Sequence, residues 1–426
     1  MLRILVINEV SPNIKNRISM LIEKIIPVLS KKNKIEIFWL ITDTFKKDKL
    51  TDDQNKLFYW KNFRTAKEVI EKVNPSLIYL FPGQSIIDYS FLLTARFLKI
   101  PTCGWVEGIP MFAYNKARRK LAEETVRKFF EKKQIDEYKT SFRGINFIKK
   151  NLFFIRSARA IEKSRGNIIS DLYQQFKRFL YFEMSEDDAS TKFNCDLLLA
   201  ESDGSVEYGI TNGLSKDNMV LVGDPDYDLA FTKRNYIENK KFQKLNVLFI
   251  TVNLSSYAKS NWSINKQDKM IEKLVKEYKK FKDVFSLSIK IHPVSENFNQ
   301  YRKKIDEYDA NIKLFQHENI YELIEKSDIV LTTATSTAGS IALIMKKPVI
   351  LWNYFQVEND TFRDSGVVIN CENISKINDY VTNANSFNME NELVIEEFIK
   401  KFYGDGNATQ EIADAIENLT ESRGLS

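Results

Sequence analysis

Between Ser327 and Ile350 the chain reads SDIVLTTATSTAGSIALIMKKPVI. Ile329 to Leu331 make a short β-branched run, which predicts a buried strand. Small and hydroxylated residues from Thr332 to Ser336 break that run. The apolar stretch that follows predicts a helix, and KPVILW (347–352) reads as the next strand. Strand, turn, helix and strand in this order make a βαβ unit, and such units build parallel sheets covered by helices.

The same alternation extends in both directions. Towards the N-terminus lie NVLFITV (246–252), LSIKIHP (287–293) and NIKLF (311–315), with helical patterns such as KMIEKLVKEYKKF between them. The first half carries its own set: RILVI (3–7), IEIFWLI (35–41), SLIYLF (76–81), PTCGWV (101–106), CDLLLA (195–200) and MVLVG (219–223). The fold class is therefore α/β, with two Rossmann-like, doubly wound parallel-sheet domains in series. Turn residues and charges interrupt the pattern after Gly223. We expect an N-terminal domain over 1–225, a linker over 226–245 and a C-terminal domain over 246–426 that includes the last helices. A length of 426 residues suits two domains of roughly 200 residues each.

Composition narrows the function classes. Cys103, Cys195 and Cys371 are far apart and form no CxxC pair, so neither a disulfide framework nor a zinc site is expected, and a reducing cytoplasm fits. MLRILVINEV lacks the basic and small-residue flanks of a signal peptide. No apolar run reaches the roughly 18 residues of a membrane span. The expectation is a cytoplasmic protein, soluble or peripheral at the inner face of the membrane. Charge is concentrated: residues 114–183 hold 18 Lys/Arg against 8 Asp/Glu, a net of +10 in a chain of net +6. Cations there alternate with Phe, Leu and Ile at near-helical spacing. Solvated helix faces, an anionic membrane surface and nucleic acid are the three readings. No nucleic-acid motif accompanies the segment, so a nucleic-acid partner is not expected.

In doubly wound sheets ligands sit beyond the carboxyl ends of the strands. His292, one of two histidines in the chain, stands there after LSIKI, with Pro293 ending the strand. The alternative is a histidine hydrogen-bonded to a neighbouring loop. Thr335, Ser336 and Thr337 open the helix after DIVLTT, where free N–H groups and the helix dipole favour a phosphate; N-capping by Thr335 or Ser336 explains the same residues. Asn253, Ser255 and Ser256 follow another strand, as rim donors or as an ordinary turn. His317 and Asn319 follow NIKLF, where a nucleobase would meet ring or main-chain groups; a surface histidine at a helix start is the alternative.

The order of KIHP, HENIYELIEKSDIVLTT and ATSTAGSIALIMKKPVILW resembles the nucleotide-binding domain of GT-B glycosyltransferases. It is most similar to bacterial enzymes with a His-Pro motif: polysialyltransferases, capsule and lipopolysaccharide sugar transferases, and CDP-glycerol glycerophosphotransferases. The likeness covers roughly residues 219–370, and the N-terminal half only by architecture. It implies two domains facing a cleft and sugar transfer from a nucleotide-activated donor to a surface-polysaccharide or lipid-linked glycan acceptor. It also implies no metal and no resident cofactor, with a CMP- or CDP-linked donor expected first and UDP or GDP second. His292 would stabilise the departing phosphate. VLVGDPDYD is similar to the interdomain linker of these enzymes, so Asp224, Asp226 and Asp228 read as capping and turn residues rather than a metal motif.

The resemblance also implies a carboxylate base in the first half. GWVEGIP offers Glu107, with Val106 where the family pattern has a second acidic residue. Among Trp105, Ile109 and Pro110 a carboxylate would be partly desolvated. ESDGSVEYG offers Glu201 or Asp203 as the fallback base. The rival activities are glycerophosphotransfer and a non-catalytic role in polysaccharide assembly. A UDP-sugar 2-epimerase is a further relative whose acidic catalytic set has no clear counterpart here.

Overall fold

The computed structural model describes residues 1–8, 17–42, 56–80, 86–106, 137–162, 194–211, 214–234, 244–252, 263–293, 296–309, 311–357 and 360–422. The chain divides into two compact units, Met1–Pro225 with Asn407–Ser426, and Asp226–Gly406.

The first unit holds a parallel sheet of β1 (Leu2–Asn8), β2 (Ile35–Ile41), β3 (Leu57–Tyr59), β4 (Leu77–Leu80), β5 (Thr102–Val106), β6 (Leu197–Ala200) and β7 (Met219–Leu221), in the order β3-β2-β1-β4-β5-β6-β7. Every residue of β4, β5 and β6 is buried. A strand covered on both faces reads as a continuous apolar run, and this is why LIYL and LLLA show no alternation. The two faces separate residue by residue along β1. Leu5 and Ile7 join one core with α2 (Ala66–Val73), α3 (Ile86–Leu98) and α4 (Glu137–Glu162), while Leu2, Ile4 and Val6 join the other with α1 (Arg17–Leu29).

One boundary differs from the expectation. The helix Ala408–Ser422, placed by sequence in the C-terminal domain, buries Ile412, Ala413 and Ile416 against Ile18, Leu21, Ile22 and Ile25 of α1 in the first unit. Lys32 fastens the pair by donating to Glu417 at 2.7 Å. The expected linker also departs from a bare connection. Asp226–Arg234 packs within the second unit, with Tyr227 edge-on to Tyr403 at 4.9 Å and the Tyr321 hydroxyl donating to the Asp226 carbonyl. Gly406, at φ 93°, lies so close to Phe231 that an added Cβ would come within 2.5 Å of it. Residues 235–243 lie outside the described residues.

The second sheet contains β8 (Leu245–Ile250), β9 (Phe285–Lys290), β10 (Lys313–Phe315), β11 (Ile329–Thr332), β12 (Val349–Leu351) and β13 (Ile369–Asn370), all parallel, in the order β10-β9-β8-β11-β12-β13. Around it lie α6 (Asp228–Thr232), α7 (Ile264–Lys280), α8 (Phe298–Asp306), α9 (Ile320–Lys326), α10 (Thr337–Ile344), α11 (Thr361–Ser365), α12 (Ile377–Glu390) and α13 (Glu392–Tyr403). The first unit adds α5 (Asp203–Thr211), and Ala408–Ser422 is α14. The strand order reverses between β8 and β11, the switch point at whose carboxyl ends a ligand crevice forms.

Candidate functional site

The carboxyl ends of β9, β8 and β11 lie side by side, so the turn after β9 and the start of α10 are about two strand spacings, ~10 Å, apart. The turn after β9 is built around one carboxylate. The His292 N–H donates to Glu296 Oε2 at 2.6 Å and to Thr251 Oγ1, at the end of β8, at 3.0 Å. The Thr251 hydroxyl donates to the same Glu296 oxygen. On the other oxygen, Tyr301 of α8 donates at 2.6 Å, and Gln267 of α7 donates its amide. Burial pushes the Glu296 carboxyl above the usual carboxylate range, while these donors and the charge of Lys290 pull it back. Burial and the adjoining Glu296 push the Tyr301 phenol upward.

Lys290, the last residue of β9, is buried and donates to the Ile291 carbonyl at 3.1 Å and the Gln316 carbonyl at 2.6 Å, joining the exits of β9 and β10. Burial lowers its pKa, against the opposing pull of Glu318 and Glu296. The His292 ring is half-buried, and burial followed by the nearby Lys290 charge lowers its pKa below the usual imidazole value. Both influences favour the neutral form of the ring, which can offer a hydrogen bond.

At the start of α10 the Ser336 hydroxyl accepts from the Gly339 N–H at 3.1 Å, so Ser336 is the cap, and Thr337 stands exposed in the first turn. Gly339 makes room for a neighbour: an added Cβ would lie 2.6 Å from the Phe362 ring. Thr335 faces inward instead. Its N–H and hydroxyl donate to Asp360 at 2.8 and 2.7 Å, and its oxygen accepts from the Phe362 N–H. Asp360 also caps α11 through the N–H groups of Phe362 and Arg363. The expected phosphate donors thus divide: Ser336 and Thr337 border the switch point, whereas Thr335 holds the loop in shape.

The remaining expected residues scatter. His317 is exposed after the edge strand β10, and its N–H donates to Glu318. Asn319 caps α9 by accepting from the Tyr321 N–H at 2.9 Å. In the first unit, Glu201 follows β6 and accepts from the Trp105 indole N–H at 3.0 Å. Asp203 is exposed at the start of α5, beside a reciprocal Ser202–Ser205 cap. Glu107, Asn253, Ser255 and Ser256 lie outside the described residues. Of the basic segment, α4 is described, and from residue 149 onward it buries Phe153, Phe154, Ala158 and Ile161 while exposing Lys149, Leu152, Arg156 and Arg159. Among the described residues, no cluster of three or more His, Cys, Asp or Glu is placed to hold a metal ion, and no helix is long and apolar enough to cross a membrane.

Sequence reasoning missed Glu296, Tyr301, Gln267, Lys290 and Asp360. The one local signal is an acidic residue four positions after His292 in HPVSE, close enough along the chain for its carboxylate to meet the His292 N–H.

No protein-family profile matches this chain, and no curated protein matches it. Solved structures do match along its whole length. MurG of Acinetobacter baumannii superposes with a TM-score of 0.51 at 10% identity, over 98% of this chain and all of the other. UDP-GlcNAc 2-epimerase from Neisseria meningitidis, bound to UDP-GlcNAc, gives 0.50 at 13%, over 98% of this chain and all of the other. The glycotransferase of kitacinnamycin gives 0.50 at 11%, over 98% of each. The two parallel α/β units thus define a GT-B fold. Similarity at this identity establishes the fold alone.

Proposed function

We propose that this chain is a nucleotide-sugar glycosyltransferase whose second unit holds the donor. The observation that carries this reading is the switch point of the second sheet, where the His292 turn and the Ser336-capped start of α10 occupy the carboxyl ends of β9 and β11. Breaking a sugar–nucleotide bond leaves negative charge on phosphate. Main-chain N–H groups at the start of α10, the exposed Thr337 hydroxyl and the neutral His292 ring are preorganised donors for that charge. The arrangement requires no metal ion. A sugar-nucleotide role agrees with the company of GT-B enzymes that the fold keeps.

The donor nucleotide is CMP or CDP by the sequence resemblance, with UDP and GDP next; the UDP-GlcNAc held by the Neisseria epimerase keeps UDP in the comparison. The acceptor is a surface-polysaccharide or lipid-linked glycan whose hydroxyl loses its proton to Glu107. Glu201 is the stronger of the two fallback bases, since its carboxylate already meets Trp105, two residues before Glu107. An anionic membrane surface meeting segment 114–183 would bring a lipid-linked acceptor within reach at the cytoplasmic face. The test is nucleotide release from CMP-, CDP-, UDP- and GDP-linked donors with and without glycan acceptors. Acceptor-dependent release supports sugar transfer. Turnover of CDP-glycerol alone points to glycerophosphotransfer, and inversion of UDP-GlcNAc without acceptor to an epimerase. Nucleotide binding without any turnover leaves a non-catalytic partner.

A further inference from the structure

We propose that Glu296 is the positioning residue of the His292 turn. Its carboxylate, shared by the His292 N–H and the Thr251 hydroxyl, locks the carboxyl ends of β9 and β8 together and sets where the His292 ring meets a nucleotide phosphate. The inference rests on the reading of this turn as part of the donor site.

Four donors converge on two oxygens: the His292 main chain, Thr251 from β8, Gln267 from α7 and Tyr301 from α8. Only an ionised carboxylate accepts from all four, because an acid or an amide must turn a hydrogen towards one of them. The supports of the clamp are themselves fixed. Tyr301 also receives the Gln267 amide, and the neighbouring Gln300 donates to Asp268 of α7 at 3.1 Å, joining α8 to α7. The Gln316 amide donates to the Glu296 carbonyl at 2.8 Å, so the exit of β10 is held to the same residue. Enclosing a carboxylate costs free energy, a cost that an apolar residue at this position would not carry. A polar clamp at the ligand-facing ends of adjacent strands serves position.

The charged and titratable groups facing the Glu296 carboxylate are Lys290 from β9 and Tyr301 from α8; the Thr251 and Gln267 side chains facing it from β8 and α7 do not titrate. Lys290 favours the ionised form, and burial opposes it. As pH falls the carboxylate takes up a proton, one of its four donors loses its acceptor, and the turn loosens. Nucleotide affinity should therefore decline on the acid side.

The chain's two histidines make the test direct. The 426-residue chain, labelled with 13C in its histidine rings, gives two ring signals, and the one missing in His292→Gln belongs to His292. In Glu296→Gln the His292 signal should shift, with its titration midpoint displaced, while amide exchange in α10 stays as in the wild type. Affinity for whichever of CMP, CDP, UDP and GDP binds the wild type should fall about ten- to a hundredfold, the usual scale for a small misplacement of a binding group. The acid-side decline in affinity should vanish in Glu296→Gln and persist in Glu296→Asp. If none of CMP, CDP, UDP and GDP binds the wild type, the donor-site reading fails, and the ring signal still decides the positioning role. A His292 signal and midpoint unchanged in Glu296→Gln would overturn the proposal. Should Glu296→Gln fail to fold, Thr251→Val removes one donor of the clamp and must move the same signal; no movement there is equally decisive against it.

Discussion

Replacing Asp360 by alanine removes the acceptor that joins the loop after β11 to the start of α11. The carboxylate, in a residue only 3% exposed, receives the Thr335 N–H and hydroxyl and the N–H groups of Phe362 and Arg363. The Phe362 N–H keeps a second partner in Thr335 Oγ1, so the uncompensated losses are the buried Thr335 N–H, the buried Thr335 hydroxyl and the cap on Arg363. A buried donor left without an acceptor costs ~1–3 kcal/mol. A lost N-cap costs about 1 kcal/mol. With two such donors and one cap the total is ~3–7 kcal/mol, borne locally by residues 333–345 and 360–365, which corresponds to at least about 100-fold faster amide exchange. Hydrogen exchange followed by mass spectrometry on the whole protein reads those peptides separately, which avoids treating a two-unit chain as one cooperative transition. Peptides from the first unit should not change. Exchange in 333–345 accelerated less than about fivefold would show that Asp360 does not hold this loop.

His292→Ala should lower turnover by about two orders of magnitude without unfolding the chain, as measured by donor kinetics beside a melting curve. Because the folded His292 ring holds its proton less tightly than the unfolded chain, stability should fall as pH drops below about 6.5, and denaturant titrations of His292→Gln should lack that part of the decline. Gly339→Ala drives a methyl into the Phe362 ring and should cost ~1–3 kcal/mol, visible as a lowered melting temperature. If segment 114–183 meets an anionic membrane, sedimentation with anionic liposomes should weaken as salt rises, and absence of binding at low salt would leave it a solvated face.

The chain's architecture was legible because parallel strands buried on both faces announce themselves as apolar runs. β3 and β13 were not, since three and two residues at a sheet edge carry no periodicity. The assignment of α14 escaped for another reason. ATQEIADAIENLTES is amphipathic wherever it docks, and nothing local names the groove of α1 as its place. The same limit governs the site. His292 and Ser336 stand at strand ends, positions that the alternation of elements predicts. Glu296 meets Thr251 across 45 residues and Asp360 meets Thr335 across 25, so their partnerships exist only once the strands are aligned. Thr335 reads in sequence with Ser336 and Thr337 as a phosphate donor or cap for the same reason, the acceptor that turns it inward being far along the chain.

Calorimetric titration of the 426-residue chain with CMP, CDP, UDP and GDP, repeated on His292→Ala, tests most directly whether the second unit is a nucleotide site. The account predicts that one of the four binds the wild type and binds His292→Ala at least tenfold more weakly. Equal affinity in the two proteins, or no heat from any nucleotide at millimolar concentration, would contradict it.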